Sequence, residues 1–149
     1  MKRAGKRDAD GYPAREIKSR GRVTNIHAGE VMSLVTVQAG DQRLMASITN
    51  EGVKELQLKP KDTLTAVVKS TEVLLIKGGL GSLKLSTRDK LTGQVASVQK
   101  GQAMGLVTVY VGTHHFGAAI TRQAFDEMGW AEGDTVTVII KATEVLLMK

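Results

Sequence analysis

Two short runs in the chain combine a lysine with hydroxyl side chains. Residues 69–75 read Lys-Ser-Thr-Glu-Val-Leu-Leu, and residues 141–147 read Lys-Ala-Thr-Glu-Val-Leu-Leu. Each run places a cation, a small residue and a threonine just before an apolar stretch that favours a strand. Ammonium, hydroxyl and backbone N–H groups are hydrogen-bond donors, so the pattern suits a small anion. The same pattern also describes an ordinary strand end, and the rest of the chain has to distinguish the two.

The two runs belong to a repeat that covers most of the chain. Their lysines are 72 positions apart (141 − 69), and the same offset joins Leu-Val-Thr-Val at 34–37 to the identical residues at 106–109. A fixed period of this length indicates a duplicated structural unit. We predict two domains of one fold, residues 15–77 and 84–149. A glycine-rich linker at 78–83 joins them, and a basic, flexible arm at 1–14 precedes them.

Each repeat has the sequence pattern of a small β-barrel. In the first repeat, alternating apolar and polar residues punctuated by glycine predict three short strands before Thr49. Thr49 then opens a short helix, and two further strands follow Pro60. Five strands with a helix between the third and the fourth is the order of an OB-like barrel. The predicted fold is therefore mostly β, with two tandem OB-like five-stranded barrels and one short helix in each.

The composition excludes several classes of protein. The 149 residues include no cysteine, so a thiol nucleophile, a disulfide and a cysteine metal site are all excluded. No run of about eighteen apolar residues occurs, so no membrane-spanning helix is expected. The basic start lacks the apolar segment of a signal peptide, which favours a cytoplasmic protein. Neither repeat has the ordered nucleophile, base and acid of a hydrolase, so an enzyme is not expected.

The net charge of +6 indicates an anionic partner. Single-stranded nucleic acid is one alternative, because OB-like folds bind it through basic grooves and aromatic stacking platforms. Aromatic residues form only 3% of the chain, and neither Tyr110 nor Phe116 has an aromatic counterpart in the first repeat. A nucleic-acid partner is therefore less favoured than a small anion.

The second repeat contains three segments in a fixed order. They read Lys-Leu-Ser-Thr-Arg-Asp-Lys-Leu-Thr-Gly at 84–93, Ile-Thr at 120–121 and Ile-Lys-Ala-Thr-Glu-Val at 140–145. Together they resemble the molybdenum-pterin-binding (Mop) domain of the TOBE group, whose pattern is K-x-S-A-R-N-x-L-x-G, then I-T, then I-K-A-S/T-x-V. The resemblance covers residues 84–149 and, with a degraded opening, 15–77. A chain of two such domains resembles the molbindins, a family of small cytoplasmic molybdate-binding proteins.

The resemblance implies what the chain binds and where. Molybdate or tungstate is the expected ligand, in storage or homeostasis of molybdenum, with no organic cofactor and no metal ion other than in the oxyanion. The chain is expected to form a homo-oligomer, a trimer of two-domain chains, with the oxyanion held where domains of neighbouring chains meet. The positions that match the family's binding residues are Ser86, Thr87, Arg88, Thr121, Lys141, Ala142 and Thr143 in the second repeat, and Thr49, Lys69, Ser70 and Thr71 in the first.

These positions also have ordinary structural explanations. Thr49 and Thr121 suit helix N-caps. Lys69 and Lys141 suit solvated strand ends, and residues 86–88 suit a plain loop. Without the resemblance, these explanations and anion binding both stay open.

Some positions depart from the family pattern. Ala14 and Glu16 stand where the second repeat has Ser86 and Arg88, and an acid at the second position disfavours an anion. Shifting the alignment by one residue places Arg15 and Glu16 against Arg88 and Asp89, but no serine is recovered. Asp89 replaces the family's asparagine, and its charge is expected to face away from a bound anion. Met32 and Met104 stand where many family members have an asparagine. The residue expected at any additional oxyanion sites on the symmetry axis of the oligomer is therefore missing.

Overall fold

The computed structural model describes residues 16–149, and the predicted basic arm at 1–14 lies outside them. The described chain is mostly β, as the sequence predicted. Two short 3-10 turns, here called η1 and η2, each precede a final strand. In chain order the elements are β1 Glu16–Ala28, β2 Met32–Ala39, β3 Gln42–Thr49, α1 Asn50–Glu55, β4 Thr63–Lys69, η1 Ser70–Glu72, β5 Leu74–Lys77, β6 Asp89–Lys100, β7 Met104–Val111, β8 His114–Thr121, α2 Arg122–Met128, β9 Thr135–Ile140, η2 Ala142–Glu144 and β10 Val145–Met148.

The two repeats have the same order of elements, with one short helix after the third strand of each. Both helices begin directly after a threonine that caps the first turn. The Thr49 hydroxyl oxygen accepts from the Gly52 N–H at 3.0 Å, and the Thr121 oxygen accepts from the Ala124 N–H at 3.2 Å. The α2 helix ends at Gly129, whose φ of 60° is the left-handed conformation that glycine adopts without strain. The predicted helix between the third and fourth strands is confirmed in both repeats.

Each five-stranded sheet takes one strand from the other repeat. The strand orders are β10-β4-β1-β2-β3 and β5-β9-β6-β7-β8. In the first sheet, Val145 of β10 lies opposite Val68 of β4, and Met148 lies opposite Thr65. Both exchanged strands contain the Leu-Leu pair of the same Thr-Glu-Val-Leu-Leu run, so the two sheets accept strands of nearly the same sequence. The repeats of the sequence and the sheets of the structure therefore have different boundaries.

The exchanged strands are also joined to their host repeats by ion pairs. The Lys77 ammonium group at the end of β5 lies 3.6 Å from an Asp134 carboxylate oxygen in the second repeat. The equivalent Lys149, just after β10, lies 3.0 Å from the Asp62 carboxylate in the first. This contact lowers the pKa of Asp62 below its usual value. The two ends of the exchange therefore have matching electrostatic contacts.

The larger hydrophobic cluster contains residues of both repeats. Along β2 and β7, buried valines alternate with more exposed residues, as expected of strands with one face on a core. Val73 and Val145, which precede or begin the exchanged strands, are 2% and 1% exposed. Burying a valine side chain contributes about 1.5–3 kcal/mol. The exchange therefore joins the repeats through apolar burial, and the shared cluster includes Leu44, Ala46, Ala66 and Val68 of the first repeat with Val107, Val109, Phe116 and Val138 of the second.

Candidate oxyanion-binding site

Two segments of the second repeat that carry donor side chains lie side by side. Strands β6 and β9 are antiparallel, with Asp89 at the start of β6 opposite Ile140 at the end of β9. The opening segment (residues 86–88) and the closing segment (residues 141–143) therefore meet at one end of these two strands. The Thr87 hydroxyl joins them by donating to the Ile140 carbonyl oxygen at 2.6 Å. The structure thus brings together the predicted site residues of these two segments.

Most side chains of the two segments are accessible to a ligand. Ser86, Arg88, Lys141 and Thr143 are all exposed. Neither Arg88 nor Lys141 forms an ion pair with another residue in the described part of the chain. The site therefore offers a guanidinium group, an ammonium group and two hydroxyls, all of which can donate hydrogen bonds.

The closing segment also offers backbone donors. It enters η2, in which the Glu144 N–H donates to the Lys141 carbonyl oxygen at 2.9 Å. The first N–H groups of a helical turn have no partner within that turn. Those of Ala142 and Thr143 are in this position, beside the two cationic side chains. Ala142 itself is half-buried, so its contribution would come from the backbone.

The corresponding segment of the first repeat packs in the equivalent way, η1 on β8 as η2 packs on β3, but its residues differ. Lys69 and Thr71 are exposed, but Ser70 is only 3% exposed. A Cβ built on Gly117 of β8 would lie 3.9 Å from the Ser70 Cβ, so η1 packs on the sheet of the second repeat. Lys69 lies opposite Glu16 at the β1–β4 pairing. The residue paired with Lys69 is therefore a glutamate, where the equivalent position of the second repeat is Arg88.

Thr49 and Thr121 lie at a different place from the lysine segments of the same chain. Both hydroxyl oxygens cap helices, which leaves each hydroxyl proton available to a ligand. The η1 turn packs on β8 at Gly117. Thr121 lies four residues further along β8, a separation of about 13 Å at the rise of a strand. Within one chain, Thr121 therefore does not lie at the same point as the segment that follows Lys69.

Asp89 follows the opening segment and is buried between the repeats. Its side chain is 1% exposed, and its Oδ1 atom accepts from the Met45 N–H of β3 at 2.8 Å. Oδ2 has no hydrogen-bond partner among the described residues. Burial raises the pKa of the carboxyl to about 6, although the hydrogen bond from Met45 opposes the shift. The sequence offered one sign of this burial, because the equivalent position in the first repeat is the apolar Ile17.

Residues 16–149 were also compared with the requirements of a metal-ion site and of a membrane-spanning helix. No three histidine, aspartate or glutamate side chains there are grouped so that they could hold a metal ion. None of the helices in the same part of the chain is long and apolar enough to cross a membrane.

A family model matches both repeats. The TOBE domain model covers residues 20–75 and 85–147, well over half of the chain. The chain belongs to the TOBE domain family. The resemblance to this group that residues 84–93, 120–121 and 140–145 carried is thereby confirmed.

Curated relatives of this TOBE protein include proteins of molybdenum metabolism. It is 32% identical over 129 residues to the molybdenum transport protein ModE of Herbaspirillum seropedicae, covering 85% of this chain and 48% of that protein. It is 30% identical over 128 residues to the molybdenum-pterin-binding protein MopB of Rhodobacter capsulatus, covering 85% and 47% respectively. The TOBE chain thus spans about half the length of these curated relatives.

A solved structure shares the architecture across nearly its whole length. This is the cytoplasmic molybdate-binding protein ModG in a crystal form with molybdate bound. The TM-score is 0.83 at 30% sequence identity, and the match covers 88% of the TOBE chain and 94% of ModG. The predicted class of two mostly β, OB-like units is confirmed by this match.

Proposed function

We propose that this chain binds molybdate or tungstate as an intact oxyanion in the cytoplasm. Its role would be in molybdenum homeostasis, and not in catalysis. The observation that carries the proposal is the contact between residues 86–88 and 141–143, which brings donors together at one end of the paired strands β6 and β9. This contact lies in a fold that matches 94% of ModG, whose structure holds molybdate. The named relatives in molybdenum transport and pterin binding support the same ligand class.

The chemistry of the two segments suits this ligand. Molybdate and tungstate are tetrahedral dianions without protons, so a binding site has to supply donors and no acceptors. Arg88 and Lys141 would supply charge-assisted hydrogen bonds, which are shorter and stronger than neutral ones. Ser86 and the backbone of the closing segment would add neutral donors. The adjacent Asp89 carboxylate is held inside the protein by Met45, which limits its repulsion of the anion.

The proposed assembly is a homotrimer in which neighbouring chains complete each site. Thr49 and Thr121 would reach the ligand only from a chain other than the one that supplies the lysine. Met32 and Met104 lie directly opposite these threonines in the β2–β3 and β7–β8 pairs, and they are 39% and 45% exposed. Exposed apolar side chains at equivalent positions of both repeats are typical of a surface that another chain covers.

Isothermal titration calorimetry with molybdate, tungstate, sulfate and phosphate tests the proposed function. We expect micromolar or tighter binding of the two metal oxyanions and weaker binding of sulfate and phosphate. Light scattering on the same sample should give three times the chain mass of 16.0 kDa. The absence of heat with both metal oxyanions would refute the function. Tighter binding of a single-stranded oligonucleotide than of molybdate would favour the nucleic-acid alternative.

A further inference from the structure

The outer face of the first sheet carries a basic groove that the proposed oxyanion site does not use. The groove has a volume of about 480 Å³ and crosses β4, β1 and β2. Backbone atoms of two glycines lie along it, and the side chains that line it are Arg20, Arg22, Thr24, Gln38 and Thr63. Among the described residues, no carboxylate and no aromatic side chain lines it.

The two arginines lie on one face of β1. Arg20 is opposite Thr65 of β4, and Arg22 is opposite Thr63. Lys18 is in the same alternation, and all three cations are exposed. None of them forms an ion pair with another described residue. Alternate residues of a strand are about 6.6–6.8 Å apart, so the groove presents cations at that regular spacing.

The polar side chains around the arginines are already hydrogen-bonded to the backbone. The Gln38 amide nitrogen donates to the Gly40 carbonyl oxygen at 2.9 Å. The Thr24 hydroxyl donates to the Thr36 carbonyl oxygen at 3.3 Å. The arginine guanidinium groups therefore remain the main donors available to a partner.

The arginines are specific to the first repeat. At the offset of 72 residues, Arg20 and Arg22 correspond to Thr92 and Gln94 in the second repeat. Both repeats form the same kind of sheet, so the fold does not require cations at these positions. The opening and closing segments of the oxyanion site do not include them either.

We propose that the groove binds an extended acidic segment of a partner protein, with a carboxylate at every second residue. A peptide in strand conformation repeats its side chains at the same spacing as β1, so successive carboxylates would match successive cations. Arginine binds a carboxylate through two parallel hydrogen bonds, which favours this arrangement over a diffuse contact. Single-stranded nucleic acid fits less well, because the lining residues provide no stacking platform. The inference does not depend on molybdate binding.

Fluorescence anisotropy with labelled peptides tests the inference. One peptide alternates glutamate with serine, and a second has the same composition with all glutamates contiguous. We expect the alternating peptide to bind more tightly, and its binding to weaken at high salt. The double variant R20Q/R22Q should lose about fivefold in affinity for each arginine. The variant K54Q/K59Q removes the same charge from exposed positions that do not line the groove and should retain the affinity.

A gain-of-function variant complements this loss. The double variant T92R/Q94R places the same pair of cations on the second repeat and should raise the stoichiometry from one peptide per chain to two. Saturating molybdate should leave peptide binding unchanged. The inference is overturned if R20Q/R22Q binds like the parent or K54Q/K59Q loses as much. It is likewise overturned if both peptides bind equally, if molybdate competes, or if an oligothymidylate binds more tightly than the alternating peptide.

Discussion

The Thr87 hydroxyl connects the two donor segments of the second repeat. It donates to the Ile140 carbonyl oxygen at 2.6 Å and accepts from the Asp89 N–H at 3.3 Å. A hydrogen bond of this kind contributes about 0.5–1.5 kcal/mol, and a buried carbonyl left without a donor costs about 1–3 kcal/mol. This hydroxyl therefore adds to the β6–β9 pairing in fixing Arg88 relative to Lys141.

We predict that Thr87→Val lowers the free energy of unfolding by about 1–2 kcal/mol, because the Ile140 carbonyl loses its donor. Molybdate affinity should also fall, since the opening segment is no longer fixed. Thr87→Ser keeps the hydroxyl and should stay closer to the parent in both measurements. Urea unfolding can be followed by the fluorescence of Trp130, the single tryptophan, which is 8% exposed. Equal stability of the valine and serine variants would contradict the assigned role.

Asp89 makes stability depend on pH. Its pKa in the folded protein is about 6, above the ordinary value of 3.8, because the carboxyl is buried. The folded state therefore binds this proton more tightly than the unfolded state does. The contribution is present at low pH and is lost as pH rises from about 4 through about 6.

We predict that Asp89→Asn removes this dependence, because the amide does not ionise and its oxygen can still accept from the Met45 N–H. The free energy of unfolding of the variant, relative to the parent, should rise by roughly 2–3 kcal/mol between pH 4 and pH 7.5. Denaturant titrations across this range provide the measurement. A difference that stays constant with pH would show that burial does not shift this carboxyl.

At the scale of elements, the exchange of β5 and β10 makes the two repeats one structural unit. Each sheet contains a strand from the other repeat, and each exchanged strand has a lysine at or just after its end, paired with an aspartate of the host repeat. A change in β10 should therefore destabilise the first sheet, although β10 belongs to the second repeat in sequence.

We predict that the double variant T65C/M148C forms a disulfide within one chain, because Thr65 and Met148 are direct partners across β4 and β10. Without the exchange, the partner of Met148 would be Thr137, the residue equivalent to Thr65, so T137C/M148C is the matched control. The parent has no cysteine, so no other disulfide competes. Non-reducing electrophoresis and mass spectrometry report the link. Efficient cross-linking of the control pair, and not of T65C/M148C, would disprove the exchange.

At the scale of the whole molecule, the sequence predicted the duplicated, mostly β fold. The period of 72 residues and the Ile-Thr pair before each helix identified the equivalent elements of the two repeats. The family resemblance implied that residues 86–88 and 141–143 contribute to one site. The pairing of β6 with β9 in the structure brings these two segments together.

Two features could not be predicted from the sequence. The exchange of strands was hidden because β5 and β10 follow the same Thr-Glu-Val-Leu-Leu run, so alternation and propensity fit either sheet equally well. The interior position of Asp89 was also missed, because the only hydrogen-bond partner of its carboxylate among the described residues is the backbone N–H of Met45, 44 residues away. Both depend on contacts between the repeats, and sequence patterns within a repeat do not report them.

In the proposed function, the joined opening and closing segments bind molybdate. The most direct test is calorimetric titration of molybdate into the parent, Lys141→Ala and Lys59→Ala. Lys59 is an exposed lysine outside these segments, and its backbone N–H, which alanine retains, donates to Asp62. We predict at least a tenfold loss of affinity for Lys141→Ala, the loss of about one charge-assisted hydrogen bond, and parent-like binding for Lys59→Ala. Parent-like binding of molybdate by Lys141→Ala would show that the closing segment does not bind the anion through Lys141.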